Sequence, residues 1–297
     1  MQGAKMLAIF ALATSVAAPQ PVAAQHGFEP LVLAPTSDWV LDYGEEYCGL
    51  ARRFGEGESE VTLQIANFGG TSYNRVFVIG GPVPRANGPS DGLRIRMGSM
   101  TEFSEERAVM GQSAGRNSAS LSMVFMDPAL HDRLILALED NPGRIIAGDP
   151  QFESSITKID FDFGDDEFTL LSGPLKPALD ALWTCRDDLL ASWGVDPAVQ
   201  NGLSRLPAPT QSTLSHIQNR YPSAMLRSGQ SAYIPVRALV DERGGLISCV
   251  VQVPSGNESF DSIVCDGLIG GFEPGLDASG NPVRALYTTS IFYAVGG

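Results

Sequence analysis

The spacing of apolar residues changes period twice within roughly the last quarter of the chain, and few small folds accommodate that change. Ile234, Val236, Ala238 and Val240 alternate with Pro235, Arg237, Leu239 and Asp241, which predicts a strand with one buried face. Asp241 to Gly245 supplies a turn, and Ile247, Cys249, Val251 and Val253 then alternate with Ser248, Val250 and Gln252; strands joined this way pair antiparallel. Beyond Pro254-Ser255-Gly256-Asn257 the apolar positions fall at Phe260, Ile263, Val264, Leu268 and Ile269, one face of a helix, until Gly270-Gly271 stops it. A Gly280-Asn281-Pro282-Val283 turn leads to a third strand through Leu286, Thr288, Ser290 and Phe292. Residues 215–297 therefore read as one small module of strand, strand, helix, strand. Its weak point is the helix, where Gly267, Gly270 and Gly271 each cost about 0.5–1 kcal/mol relative to alanine.

At the other end, Lys5 precedes an apolar run from Met6 to Ala18, and Val22-Ala23-Ala24 precedes Gln25, the three parts of a secretory signal. Residues 1–24 are read as that signal, with the mature chain starting at Gln25. An uncleaved anchor is the competing reading, but the run falls short of the roughly 20 apolar residues that span a bilayer. Removing Lys5 takes the formal charge from −14 to −15. A chain so acidic repels nucleic-acid phosphates and anionic lipid.

Export makes the four cysteines a disulfide question, with three possible pairings. One pair in each half, Cys48 with Cys185 and Cys249 with Cys265, is favoured, since crossing the pairs would bring together strands of different sheets. The second bond closes a 16-residue loop worth about 3 kcal/mol in the chain-entropy model, which offsets the helix glycines; the first closes a long loop worth close to 5 kcal/mol. No two cysteines have zinc-finger spacing, and His26, His131 and His216 are scattered, so no metal or other cofactor is expected.

Residues 25–203 read as a mostly antiparallel β domain with two helices, either one sheet or a sandwich. Strands are predicted around Trp39-Val40-Leu41, Cys48 to Phe54, Val61/Leu63/Ile65, Val76/Val78, Leu93/Ile95/Met97 and Leu121/Met123/Phe125. One helix begins at Asp127-Pro128, carries Leu130, Leu134, Ala137 and Leu138, and ends at Asn141-Pro142-Gly143. The other runs from Pro174 to Gly194 with Leu175, Leu179, Leu182, Leu189 and Trp193 on one stripe. Ile159, Phe161 and Phe163 turn through Gly164 into Phe168 and Leu170, a hairpin that gathers Asp160, Asp162, Asp165, Asp166 and Glu167. The order of acids is not that of a calcium loop, so these are read as a solvated strand face and turn. Residues 204–214, with Pro207, Pro209, Ser212 and Thr213, read as a linker. The fold class is α+β.

Six short motifs stand in one order: Tyr221-Pro222, Val240-Asp241 before glycine, Ser255-Gly256-Asn257, Phe260-Asp261, Phe272-Glu273-Pro274 and Gly280-Asn281-Pro282-Val283. With them the C-terminal module resembles the C-terminal domain of the TonB family, although Cys249 and Cys265 are not part of that pattern. The resemblance implies a ββαβ fold without catalytic residues and an edge strand, Arg284, Leu286, Thr288, Ser290 and Phe292, that takes an extended peptide by β-strand addition. The implied partner is a TonB-dependent transporter or another envelope protein. The segments Tyr47 to Gly55 and Cys185 to Gly194 resemble the leading part of exported alphaproteobacterial proteins with a TonB-like tail, which implies no activity. Arg237, Asp241, Glu258, Asp261 and Glu273 fall where solvent faces are expected.

Two other functions compete. An energy transducer would keep its N-terminus as an anchor and needs a long extended spacer, where this chain has a folded acidic domain. A serine hydrolase would use Gly111-Gln112-Ser113-Ala114-Gly115, with His131 and Asp127 downstream. That motif requires a strand before and a helix after, whereas Ser118 to Phe125 alternates like a strand, so Ser113 is read as a turn residue and the protein as non-enzymatic.

Overall fold

The computed structural model describes residues 31–131, 148–220, 222–227 and 232–293. The expected signal, His26, Leu134 to Gly143 of the helix expected from Pro128, Tyr221 and Val295 lie outside the described residues. Strands dominate, as expected of an α+β chain rich in alternation. Ten of them form one sheet: β1 (Leu31–Leu33), β2 (Val40–Tyr43), β3 (Cys48–Phe54), β4 (Val61–Asn67), β5 (Asn74–Gly80), β6 (Gly88–Met97), β7 (Ser104–Ser113), β8 (Arg116–Met123), β9 (Ile159–Asp162) and β10 (Glu167–Leu170). Their spatial order is β1-β10-β9-β6-β7-β8-β5-β4-β3-β2, and every pair but β1–β10 is antiparallel.

The sheet is a single curled one rather than a sandwich. The segment after β1 returns to the far side, where Gly55 N–H donates to Ala34 O and Thr36 N–H to Arg53 O, both at 2.9 Å. Inward positions such as Leu63, Val78, Leu93, Leu121 and Phe168 thereby face a common interior. That interior receives helix α2 (Lys176–Ser192), introduced after α1 (Pro150–Ser155); Leu175, Leu179, Leu182 and Cys185 are wholly buried in the same core. Each leucine so buried contributes about 1.5–3 kcal/mol. Cys185 bonds Cys48 across 6.0 Å between Cα atoms, fastening helix to sheet. Gly194, at φ +74°, lets the chain leave the helix in a left-handed turn.

Two short helices go beyond the two expected in this half: α1 and α3 (Pro197–Asn201). Each starts at an Asp-Pro pair, with Asp149 accepting from Gln151 and Phe152 N–H and Asp196 from Ala198 N–H, the N-cap chemistry that also starts the helix at Asp127.

The stretch expected to be a linker is part of the C-terminal structure. β11 (Ala208–Pro209) pairs with β14 (Phe272–Glu273), and α4 (Gln211–Gln218) begins inside the stretch. Thr210 and Thr213 hydroxyls donate to Gly270 and Gly271 carbonyls, so its backbone is tied down rather than solvated. After α5 (Ser223–Arg227) come β12 (Ala232–Val240), β13 (Leu246–Val251), α6 (Glu258–Gly267), the short β15 (Gly275–Leu276) and β16 (Pro282–Val283), and β17 (Ala285–Tyr293). The order strand, strand, helix, strand is present, and the second core joins Ile234, Val236, Ala238 and Val240 to Phe260, Val264 and Leu268. Cys249 and Cys265, 5.6 Å apart at Cα, are bonded, so both favoured disulfides are formed.

Candidate functional site: the edges of the C-terminal sheet

The C-terminal sheet has the order β13-β12-β17, which gives it two edges. Which backbone groups point outward follows from one bond: Gln252 N–H donates to Pro235 O at 2.8 Å. Since direction alternates along a strand, Val250 also faces β12 while Cys249 and Val251 present N–H and C=O outward. On the other side Val236 and Ala238 face β17, so Leu286 and Thr288 point away from the sheet. The same parity explains Pro235 inside a central strand, because its missing N–H lies on the side of β13, opposite Gln252, rather than in the β17 ladder.

The edge expected to take a partner, Arg284 to Phe292, is closed in the middle. Gln200 of α3 donates its amide to Leu286 O at 3.1 Å and accepts Leu286 N–H at 2.8 Å, the pair of bonds an added strand would make. It also donates to Gly70 O at 3.0 Å. Thr288 donates its hydroxyl to Gly69 O. A methyl group on Gly70 would lie 2.7 Å from the Thr288 oxygen, so the loop sits directly on the strand. Leu286 is fully buried, Arg284 and Ser290 are exposed, and the Phe292 side chain lies outside the description. The sequence marks Asp196-Pro197 as a helix start, but nothing local says that Gln200 meets a strand 86 residues later.

Arg237 also departs from the expected solvent face. Its guanidinium grips Glu46 through two bonds of 2.5 and 2.9 Å and lies 4.4 Å above the Trp193 ring. Gln252 donates to Glu46 O and Phe68 O. Below them Leu190 and Val195 pack with Leu239 and Leu286 in a third core made by both halves. Among the described residues β13 pairs with β12 and with no second strand. Ile247, at the irregularity in the β12–β13 register, is 43% exposed and Val253 is 39% exposed.

The remaining candidates separate. Ser113 closes the β7–β8 hairpin opposite Arg116, with Ala114 and Gly115 at φ +49° and +79°. A two-residue turn with both φ values positive is a hairpin turn, so the element after Ser113 is a strand and the elbow geometry is absent. The solvated acidic face is corrected: Asp160 and Asp162 are 1% and 4% exposed, because they stand opposite Arg96 and Arg94 in the β6–β9 register and pair with them. Thr169 adds a bond of 2.8 Å to Asp160. Among the described residues no three His, Cys, Asp or Glu side chains form a metal-holding group. No helix among them is long and apolar enough to cross a membrane. No family model, curated protein or solved structure matches the chain.

Proposed function

We propose that this is an exported periplasmic protein that acts by binding rather than catalysis, its TonB-like C-terminal module taking an extended segment of another envelope protein as an added strand. The carrying observation is the contrast between the two edges. In the family it resembles, the last strand is the expected template, but here Gln200 already uses Leu286. Among the described residues the open template is β13, where Cys249 and Val251 direct their backbone groups outward and the disulfide to Cys265 holds the strand against its helix. The net charge of the mature chain favours a basic partner segment. Two disulfides suit the oxidising compartment this requires.

The experiment selects peptides from a displayed random library on the whole mature chain and maps the bound peptide by backbone amide NMR. Perturbation should centre on Ser248 to Val251. Val251→Pro, which deletes an outward N–H without touching the β12 ladder, should weaken binding by about tenfold, the equivalent of one or two backbone bonds. Shifts centred on β17, or undiminished binding by the proline variant that still folds, would overturn the assignment to β13.

A further inference from the structure

The outer face of β5 carries a charge that the rest of the molecule leaves unanswered. Asn74, Val76 and Val78 turn into the sheet interior, so Arg75 stands on the opposite face, toward the C-terminal half. There its guanidinium lies 4.4 Å from the centre of the Tyr233 ring of β12. Two of its five N–H groups donate to the hydroxyls of Ser122 and Ser120 on β8, at 2.9 and 3.1 Å, and its Nε–H is buried with no partner. Of the half-buried arginines among the described residues, Arg96, Arg116, Arg186, Arg205 and Arg237 each meet a carboxylate, and Arg52 meets two backbone carbonyls. Arg75 has neither. Burial draws its pKa below the usual arginine range, and the nearby Tyr233 only partly restores it, the behaviour of a cation that has given up water without gaining an anion.

Arg75 lines a cavity of about 220 Å³ between the two halves, a common place for small-ligand sites. Phe68, Thr71 and Ser122 come to it from the leading half, and Tyr233, Thr288 and Ser290 from the tail. The printed contacts tie these walls into one site: Tyr233 stacks on Arg75, Ser290 bonds the Tyr233 hydroxyl, and Gln252 donates to Phe68 O across the junction at 2.8 Å. The chain has 34 acidic residues, yet no Asp or Glu is among those lining the cavity, and Arg75 is the one full charge on its wall.

Such a wall selects an anion, and the count of charges sets its kind. Phosphate groups carry nearly two negative charges and are met by clusters of arginines or by helix N-termini, whereas here a single guanidinium stands among neutral hydroxyls. A carboxylate matches both the single charge and the planar donor edge of arginine. The volume falls below the roughly 300 Å³ at which drug-sized pockets begin, so the carboxylate is followed by only a few carbon atoms. We propose that this cavity binds one carboxylate group on a short carbon skeleton, the carboxylate on Arg75 and the carbons against Phe68 and Tyr233, so that the ligand sits astride the two halves.

Sodium butyrate is titrated into the disulfide-intact mature protein while the Arg75 Nε–H and the Tyr233 and Ser290 amide signals are followed by NMR. These signals should shift saturably with butyrate and stay in place with butyramide, its neutral isostere, and with sodium chloride at equal ionic strength. Arg75→Gln should weaken butyrate binding by about tenfold or more, the loss expected of a charge-assisted bond, while Arg243→Gln in the exposed turn after β12 should not. An acetylated tripeptide acid, set against its C-terminal amide, separates the two sources of such a group: tighter binding than butyrate makes the ligand the end of a protein chain, and weaker binding makes it a free acid. Should the Arg75 variant fail to fold, the contrast between butyrate and butyramide on the native protein decides alone. Equal shifts with butyramide or chloride, a preference for inorganic phosphate over butyrate, or no shift at all would overturn the proposal.

Discussion

Glu153 and Asp160 are both buried acids, yet their surroundings act in opposite directions. Burial raises the Glu153 pKa, and the attraction of Lys176 at 3.7 Å and the Trp183 indole N–H at 3.3 Å do not cancel it. Asp160 suffers the same desolvation, but bonds from Thr169, Arg96 and Lys158 together outweigh it and hold its carboxyl below the usual range. For Glu153 the folded state binds its proton more tightly than the unfolded chain. Its contribution is therefore fully present below the ordinary glutamate range and is lost as pH rises through the elevated value. For Asp160 the sign reverses, and the contribution is lost as pH falls below the ordinary aspartate range. Glu153→Gln, which keeps an acceptor for Trp183, should stabilise the protein more at pH 8 than at pH 4. Urea midpoints at the two values test this, and an equal gain at both would show that burial does not control Glu153. Neither behaviour was legible from local sequence, because the acids around residues 160–167 look alike until β6 brings arginines opposite two of them.

Among the elements, the strands with clean alternation were legible and the short or mixed ones were not. β7 escaped because its inward positions include Ser104 and Glu106, which break the apolar period. α1 and α3 are too short to show a period at all, and only their Asp-Pro starts announce them. The second disulfide is the strongest element-scale expectation. β13 is held by one ladder, and α6 ends in a run where Gly267, Gly270 and Gly271 weaken the last turns. Cys249→Ala/Cys265→Ala should therefore lower the stability of the C-terminal module by about 2–5 kcal/mol. Denaturant unfolding followed by amide NMR signals of β13 measures the loss; a change under about 1 kcal/mol would mean that packing of Phe260 and Val264 holds the pair of elements without the bond.

For the whole molecule, the junction between the two halves is a built interface, with Arg237 enclosed by Glu46 and Trp193 over a shared apolar core. Arg237→Ala leaves a largely buried carboxylate without its partner, a loss of about 3–5 kcal/mol for a well-buried pair and less here, where Glu46 keeps 22% exposure. Scanning calorimetry should show one transition in the parent chain and two in the variant; a single transition in both would mean that Leu190, Val195, Leu239 and Leu286 couple the halves without the ion pair. The residue pattern by itself determined the β-rich leading half, the strand, strand, helix, strand tail and the favoured cysteine partners, because period and spacing are properties of neighbours along the chain. Tertiary structure alone decided that Gln200 occupies the β17 edge and that Arg237 is enclosed. Those contacts join segments tens to hundreds of residues apart, and a hydrogen bond or a cavity depends on distance in space, which local order along the chain does not encode.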